Sequence, residues 1–180
     1  MALRGFVALA LVCLISGCIF SPRQKPPVVI PPPDYPKLIN PFAVLDALEL
    51  AYGARDSNEV KLLYDKDYLG TSTDRSDGSV LNFTKAEEVE HVAALARHTS
   101  ITHVFLKFPP NKTRFSDGAD PPEWATIQMS QGVNLQIDDS PTSYYLTSGV
   151  ITEFKLIPKT PDASSSTDTT WSIIKWNEIH

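Results

Sequence analysis

The feature that most restricts the fold is a change of hydrophobic period at Thr99. Before it, apolar residues recur at helical spacing; after it they alternate, and they keep alternating to the end of the sequence. Phe42, Leu45, Leu48, Ala51 and Tyr52 mark one helix. It is entered through Asn40-Pro41, an N-cap followed by proline at the first helical position. Asp56 with Glu59 makes a second cap, opening a short helix over Val60, Leu62, Leu63 and Tyr64. Gly70 to Gly78 is polar and turn-rich and reads as a loop. Thr84-x-x-Glu87 is a capping box before a third helix to about His98, with Val89, Val92, Leu95 and Ala96 on one face. From Ile101 the pattern is that of strands. Residues 101–108 form one, ended by Pro109-Pro110. Residues 124–138 form a long one interrupted at Gly132, predicted as a bulge or tight hairpin. Residues 143–159 form another, followed by an exposed loop over 160–168 and a closing strand to Ile179. Helices first and long antiparallel strands afterwards predict an α+β domain, its sheet strongly curved around the helices.

The N-terminal segment has a different character. Arg4 supplies a short positive region, Phe6 to Ile15 is apolar, and small Ser16-Gly17 follow, the pattern of a secretory signal over residues 1–17. The apolar run is too short to cross a bilayer as a helix, which needs roughly 20 residues. Ile15-Ser16-Gly17-Cys18 resembles the bacterial lipobox. That resemblance implies diacylation of the Cys18 thiol and cleavage before it; a plain signal peptide or an uncleaved anchor is the alternative. Two or three acyl chains suffice for stable anchoring, where one is marginal. Cys13 would leave with the signal, so the mature chain would hold one cysteine and no internal disulfide. Ile19 after Cys18, rather than the aspartate associated with inner-membrane retention, favours the periplasmic face of the outer membrane in a cell with two membranes. Residues 18–39 then carry the lipidated cysteine and a proline-rich stretch. Proline there excludes a regular helix and predicts a semi-rigid tether of polyproline-II character.

Residues 40–180 carry a second resemblance. The order of a short helical pair, a capped third helix and a curved meander is similar to the NTF2-like (SnoaL-like) cone fold. The ending T-T-W-S-I-I-K-W-N-E, Thr169 to Glu178, resembles that superfamily's final strand, often W-x-I-x-x-W-x-[DE]. The resemblance implies N-terminal helices packed on a strongly curved antiparallel sheet, with a pocket between its concave face and the helices. Its members include isomerases, dehydratases, epoxide hydrolases and proteins that only bind ligands or partners, and they often pair through the sheet. One departure is Thr71 to Phe83, where members often place a short hairpin and this sequence carries no clear strand signal.

Chemistry in such a pocket needs a carboxylate or histidine tuned by burial and a neighbour. Tyr52, Tyr64 and Tyr68 are candidates for a pocket wall, core packing being the alternative. His103 alternates with Ile101 and Phe105 and is expected to face inward, either as a sheet-face residue or as an acid/base group. Asp46, on the polar side of the first helix, reads as solvated. His91 and His98 lie about 10 Å apart along the third helix, too far to share one metal without further ligands. Asp117, Asp120, Asp138 and Asp139 fall in turn contexts and lack the ligand spacing of a calcium loop. Asn82-Phe-Thr84 and Asn111-Lys-Thr113 match glycosylation sequons, a match made moot by a bacterial signal. No phosphate-cradling loop, G-x-S-x-G or zinc pattern occurs.

A net charge of −5 without a basic run argues against a nucleic-acid partner. The expectation is a lipid-anchored cell-envelope protein, attached to the membrane through N-terminal acyl chains. Its domain would bind a small apolar or amphipathic molecule, or a protein partner, without catalysis, cofactor or metal. The alternatives are an isomerase- or dehydratase-type enzyme using His103 with a tyrosine, and a structural module dimerising through its sheet. Trp171 and Trp176 exposed on an outer face would favour the module. An enclosed pocket with two polar groups in hydrogen-bond reach would favour the enzyme, and an open or purely apolar cavity a binding protein.

Overall fold

The computed structural model describes residues 31, 33–147, 151–159 and 169–180. The signal segment, Cys18, most of the proline tether and the 160–168 loop lie outside the described residues. Pro32–His180 form one contact unit.

The caps read from the sequence all form. Asn40 accepts a hydrogen bond from the Ala43 amide (2.9 Å) and Pro41 begins α1 (Pro41–Ala54). The helix stops at Arg55, which adopts the left-handed conformation (φ 55°) and sends Nη1 to the Ile101 carbonyl at 2.7 Å. Asp56 then caps α2 (Ser57–Leu63), accepting from the Asn58 and Glu59 amides at 3.0 and 3.1 Å. Thr84 and Glu87 close the reciprocal capping box that opens α3 (Lys85–Arg97).

Between α2 and α3 the chain forms β1 (Tyr64–Thr73) and β2 (Val80–Thr84), antiparallel to each other. This corrects the loop expected over Gly70–Gly78 and supplies the hairpin that the sequence did not signal. The reason is that β1 buries few side chains, Tyr64, Tyr68 and Gly70, so its alternation is nearly invisible. Backbone pairing on both edges holds it instead, to β2 on one side and parallel to the last strand on the other. The turn is closed by Gly78, whose amide donates to the Asp74 carbonyl (2.8 Å) at φ 74°, a conformation that favours glycine. The helices-first order therefore holds for α1 and α2 only, and the parallel pair makes the sheet mixed.

Seven strands follow: β3 (Ile101–Lys107), β4 (Lys112–Phe115), β5 (Ala125–Met129), β6 (Asn134–Asp139), β7 (Thr142–Thr147), β8 (Ile151–Lys159) and β9 (Thr170–Ile179). They join β1 and β2 in two ladders, β2-β1-β9-β8-β5-β4 and β3-β6-β7. The run through Gly132 is thus neither a bulge nor a hairpin. The chain leaves the large ladder after Met129 and enters the small one at Asn134. The expected strand over 143–159 likewise divides, β7 in one ladder and β8 in the other.

The core lies between α1 and the sheets. Val44, Leu45 and Leu48 of α1 meet Val60 and Leu63 of α2, Val92 of α3, Ile127 and Met129 of β5, Phe154 and Leu156 of β8 and Ile173 of β9, all fully buried. Each such side chain contributes about 1.5–3 kcal/mol by leaving water. Packing also begins earlier in the chain than Asn40. Tyr35 donates its hydroxyl to Asp56 Oδ2 at 3.1 Å, and the Leu38 carbonyl accepts from the Trp171 amide at 2.8 Å. Asp56 thus joins the α2 cap to the end of the tether. Asp56→Ala is expected to cost about 1 kcal/mol or somewhat more, the usual loss for an N-cap, read as a lowered urea midpoint. Tyr35→Phe, which spares the cap, should cost less.

Candidate functional site

A cavity of about 350 Å³ opens where the concave face of the large ladder meets α1, α3 and the small ladder. That is the small end of the range of about 300–1,000 Å³ for small-molecule sites. Leu106 of β3, Leu135 of β6 and neighbouring Val133 form one apolar side, with Phe83 of β2 and Trp176 of β9 opposite. Trp176 is fixed from behind by Phe154, ring centroids 4.8 Å apart, and edge-on by Phe108 at 6.3 Å. Exposed His91 and His180 stand at its edge, so the cavity is open on that side.

The polar groups come from facing helices. Tyr52, buried on α1, donates its hydroxyl to Glu88 Oε2 of α3 at 3.0 Å. Desolvation raises the Glu88 carboxyl above its usual 4.5, against the lowering effect of the Tyr52 hydrogen bond and of nearby His91. Desolvation, then the Glu88 charge, pushes the Tyr52 phenol well above its ordinary range, so it acts as a donor rather than an acid. Behind this pair, Tyr64 and Tyr68 stack with ring centroids 4.2 Å apart at 32°. Their hydroxyls are buried and make no hydrogen bond of good geometry, nor does Trp176 Nε1. Gly70 is what lets the Tyr68 ring lie over β1: a Cβ there would sit 2.5 Å from the Tyr68 hydroxyl oxygen. At the rim, His180 Nε2 lies 3.0 Å from Ser72 Oγ and 3.6 Å from Glu178.

Of the residues expected from the sequence, Tyr52 lines the cavity and Tyr64 packs fully buried beside Tyr68. His103 does not face inward. The β3–β6 register shifts between Ile101 and His103, so Thr102 takes up an extra residue and the alternation changes parity. Ile101, Val104 and Leu106 are buried, while His103 is 79% exposed with Nδ1 3.9 Å from Asp138. His103 and Tyr52 therefore form no acid/base pair. Asp46 is exposed and pairs with Lys112 at 3.2 Å. Asp117 and Asp120 hold Lys155 at 3.0 and 2.7 Å, so a lysine sits where a cation was considered. Among the described residues no His, Cys, Asp and Glu cluster is arranged to hold a metal.

Glu88 is the site residue that sequence reasoning missed. Its signal was available: Glu88, Val92 and Leu95 stand at i, i+4 and i+7, which puts a carboxylate on the buried stripe of α3. The raised carboxyl gives a signed expectation. The unfolded chain ionises Glu88 first, so its contribution to stability is complete below about 4.5 and is lost as pH rises through the raised folded value. Glu88→Gln should match the wild type in acid and become progressively more stable than it above that point. Parallel stability–pH curves for the two proteins would show that Glu88 does not titrate in a desolvated site.

Solved structures share this architecture at low identity. A candidate scytalone dehydratase from Novosphingobium aromaticivorans is 9% identical, with TM-score 0.53 over 75% of this chain and 77% of that one. Aln2 from a Streptomyces species is 8% identical, with TM-score 0.51 over 76% and 85%. A nuclear transport factor 2 (NTF2-like) superfamily protein from Salmonella enterica is 10% identical, with TM-score 0.50 over 75% and 84%. No family model matches the chain, and no curated protein sequence matches it. Likeness at this identity speaks to the fold alone, and the fold is NTF2-like: three helices with a curved sheet of many strands.

Proposed function

We propose that the domain binds a small, largely apolar molecule with one hydrogen-bonding or charged group, and that acyl chains on Cys18 hold it at a membrane. The observation that carries the binding reading is a cavity with an apolar wall of Leu106, Val133, Leu135, Phe83 and Trp176 beside the hydrogen-bonded pair Tyr52–Glu88, its other polar groups including Ser72, His91, Glu178 and His180. Few polar groups convergent on an apolar cavity are what orient a ligand in small-molecule sites. The test is to fill the space. Leu135→Trp should weaken binding of the neutral fluorophore prodan about tenfold, equivalent to ~1.4 kcal/mol, while leaving the thermal transition largely in place. Unchanged prodan affinity would oppose the reading.

The Tyr52–Glu88 hydrogen bond also favours a second reading, a pocket enzyme of isomerase or dehydratase type. Glu88, not His103, would then exchange the proton, since a carboxyl raised by desolvation is a better base than a solvated one. Pairing of two copies through the small ladder is a third reading. Phe105 and Tyr145 are exposed there in one row with Gln136 between them. Trp176 lines the cavity and Trp171 lies half-buried under Arg114, 5.3 Å from its ring, so neither tryptophan supplies an exposed pairing face.

The membrane half of the proposal rests on the lipobox-like sequence at Cys18 and on the short apolar run before it. In a cell with two membranes the expected site is the periplasmic face of the outer one. Among the described residues no helix is long and apolar enough to cross a membrane. Cys18→Ala should abolish incorporation of a radiolabelled fatty acid and move the protein from the membrane to the soluble fraction. A variant that still partitions with membranes would overturn the anchor.

A further inference from the structure

The lining of the cavity has a one-sided charge. Glu88 and Glu178 are carboxylates, and among the described residues lysine and arginine are absent from the wall. Tyr52, Tyr68, Phe83 and Trp176 add four aromatic rings around the same space. The ion pairs that lysines and arginines make among the described residues go to other carboxylates and leave out Glu88. Its hydrogen bond comes instead from the neutral Tyr52 hydroxyl. Glu88 is thus a carboxylate held in a largely desolvated place with no permanent positive charge beside it.

Three classes of ligand head group can be weighed against that wall. An anion would face the Glu88 carboxylate, to which no lysine or arginine is paired. A neutral group would accept or donate one hydrogen bond and leave the Glu88 charge uncompensated. A cation would sit against the carboxylate and against the negative faces of aromatic rings, an attraction that strengthens as water is removed. Trp176, the ring type best suited to this contact, lines the cavity and is held in position by Phe154 and Phe108.

We propose that the cavity selects an organic cation, an amine or quaternary ammonium group carried on an apolar body. This rests on the ligand-binding reading of the same cavity and adds the charge of its occupant. The desolvation that raises the Glu88 carboxyl fits it, because a bound cation relieves the cost of keeping that group ionised.

The test compares a phenylpropyl series ending in trimethylammonium, hydroxyl or carboxylate, each titrated into the full-length chain in the same mildly alkaline buffer. Tryptophan fluorescence reads binding, with Trp176 in the wall as the reporter. The ammonium compound is expected to bind about tenfold more tightly than the alcohol, and the carboxylate more weakly than either. Glu88→Gln should bring the ammonium to the affinity of the alcohol for the same variant. Equal affinity of ammonium and alcohol for the wild type, tightest binding of the carboxylate, or an ammonium preference that survives Glu88→Gln would each overturn the charge assignment. The wild-type comparison decides by itself if the variant does not fold. Binding of the alcohol without preference for the cation would leave the ligand reading standing. Failure of the whole series to bind would overturn both.

Discussion

The domain depends on the seam between β8 and β9. These strands pair along nearly their whole lengths, Ile151 opposite Ile179 to Lys159 opposite Thr170. Phe154 and Leu156 from one strand and Ile173 from the other then face α1 with no exposed surface. Everything else attaches to that slab. β1 adds in parallel along β9, β5 adds along β8, and the three helices cover the apolar face. Removing apolar area from water along one continuous seam is the largest favourable term available to a chain of this size. The crossings between ladders, β3 to β4, β5 to β6 and β7 to β8, let the chain bring a second ladder against the same core without breaking the seam.

The cavity arises where that packing runs out. Toward the centre of the seam, Phe154 fills the space beneath α1. Toward the ends of β1 and β9, Gly70, Ser72 and Glu178 line the cavity, and none of them is a large apolar side chain that would fill it. Trp176, directly opposite Phe154 in the register, forms the boundary. One pair of residues therefore belongs to both regions: its inner member completes the core and its outer member makes the cavity wall. A substitution at Phe154 would be felt at the site through the indole it supports, although Phe154 does not line the cavity.

The sequence made legible what is local. Asn40-Pro41, Asp56/Glu59 and Thr84/Glu87 cap helices through contacts a few residues apart, so their pattern survives in one dimension. The period-two runs marked the stretches that hold β3 and β5 to β9, but not β1, β2 or β4. What could not be read was anything decided by pairing across the fold. β1 has polar outward residues and is held by backbone partners distant in sequence. The side of β3 that faces inward is set by one extra residue at Thr102, and this places His103 outside and Val104 inside. Division of two long runs between ladders likewise depends on corners, not on composition. Glu88 differs from these cases. Its place on the Val92–Leu95 stripe was visible, and its meaning came from Tyr52, thirty-six positions earlier, which gives it a partner.

Buried polar atoms without hydrogen bonds mark where this fold has given up stability. Among the described residues, buried hydroxyl and indole groups without a well-formed hydrogen bond fall in two places: the Tyr64 and Tyr68 hydroxyls and Trp176 Nε1 at or beside the cavity wall, and the Thr126, Thr152 and Ser172 hydroxyls on β5, β8 and β9. Each such group costs about 1–3 kcal/mol relative to a satisfied one. Phenylalanine at Tyr64 or Tyr68 would keep the ring stacking and remove the unsatisfied hydroxyl, so packing alone gives no reason for the oxygen. Departures from full polar satisfaction are expected to gather at functional sites. In this fold they divide between the cavity end, near Tyr52 and Glu88, and β5, β8 and β9 of the core sheet, and the two tyrosines at the cavity end are rings that phenylalanine would match without the oxygen.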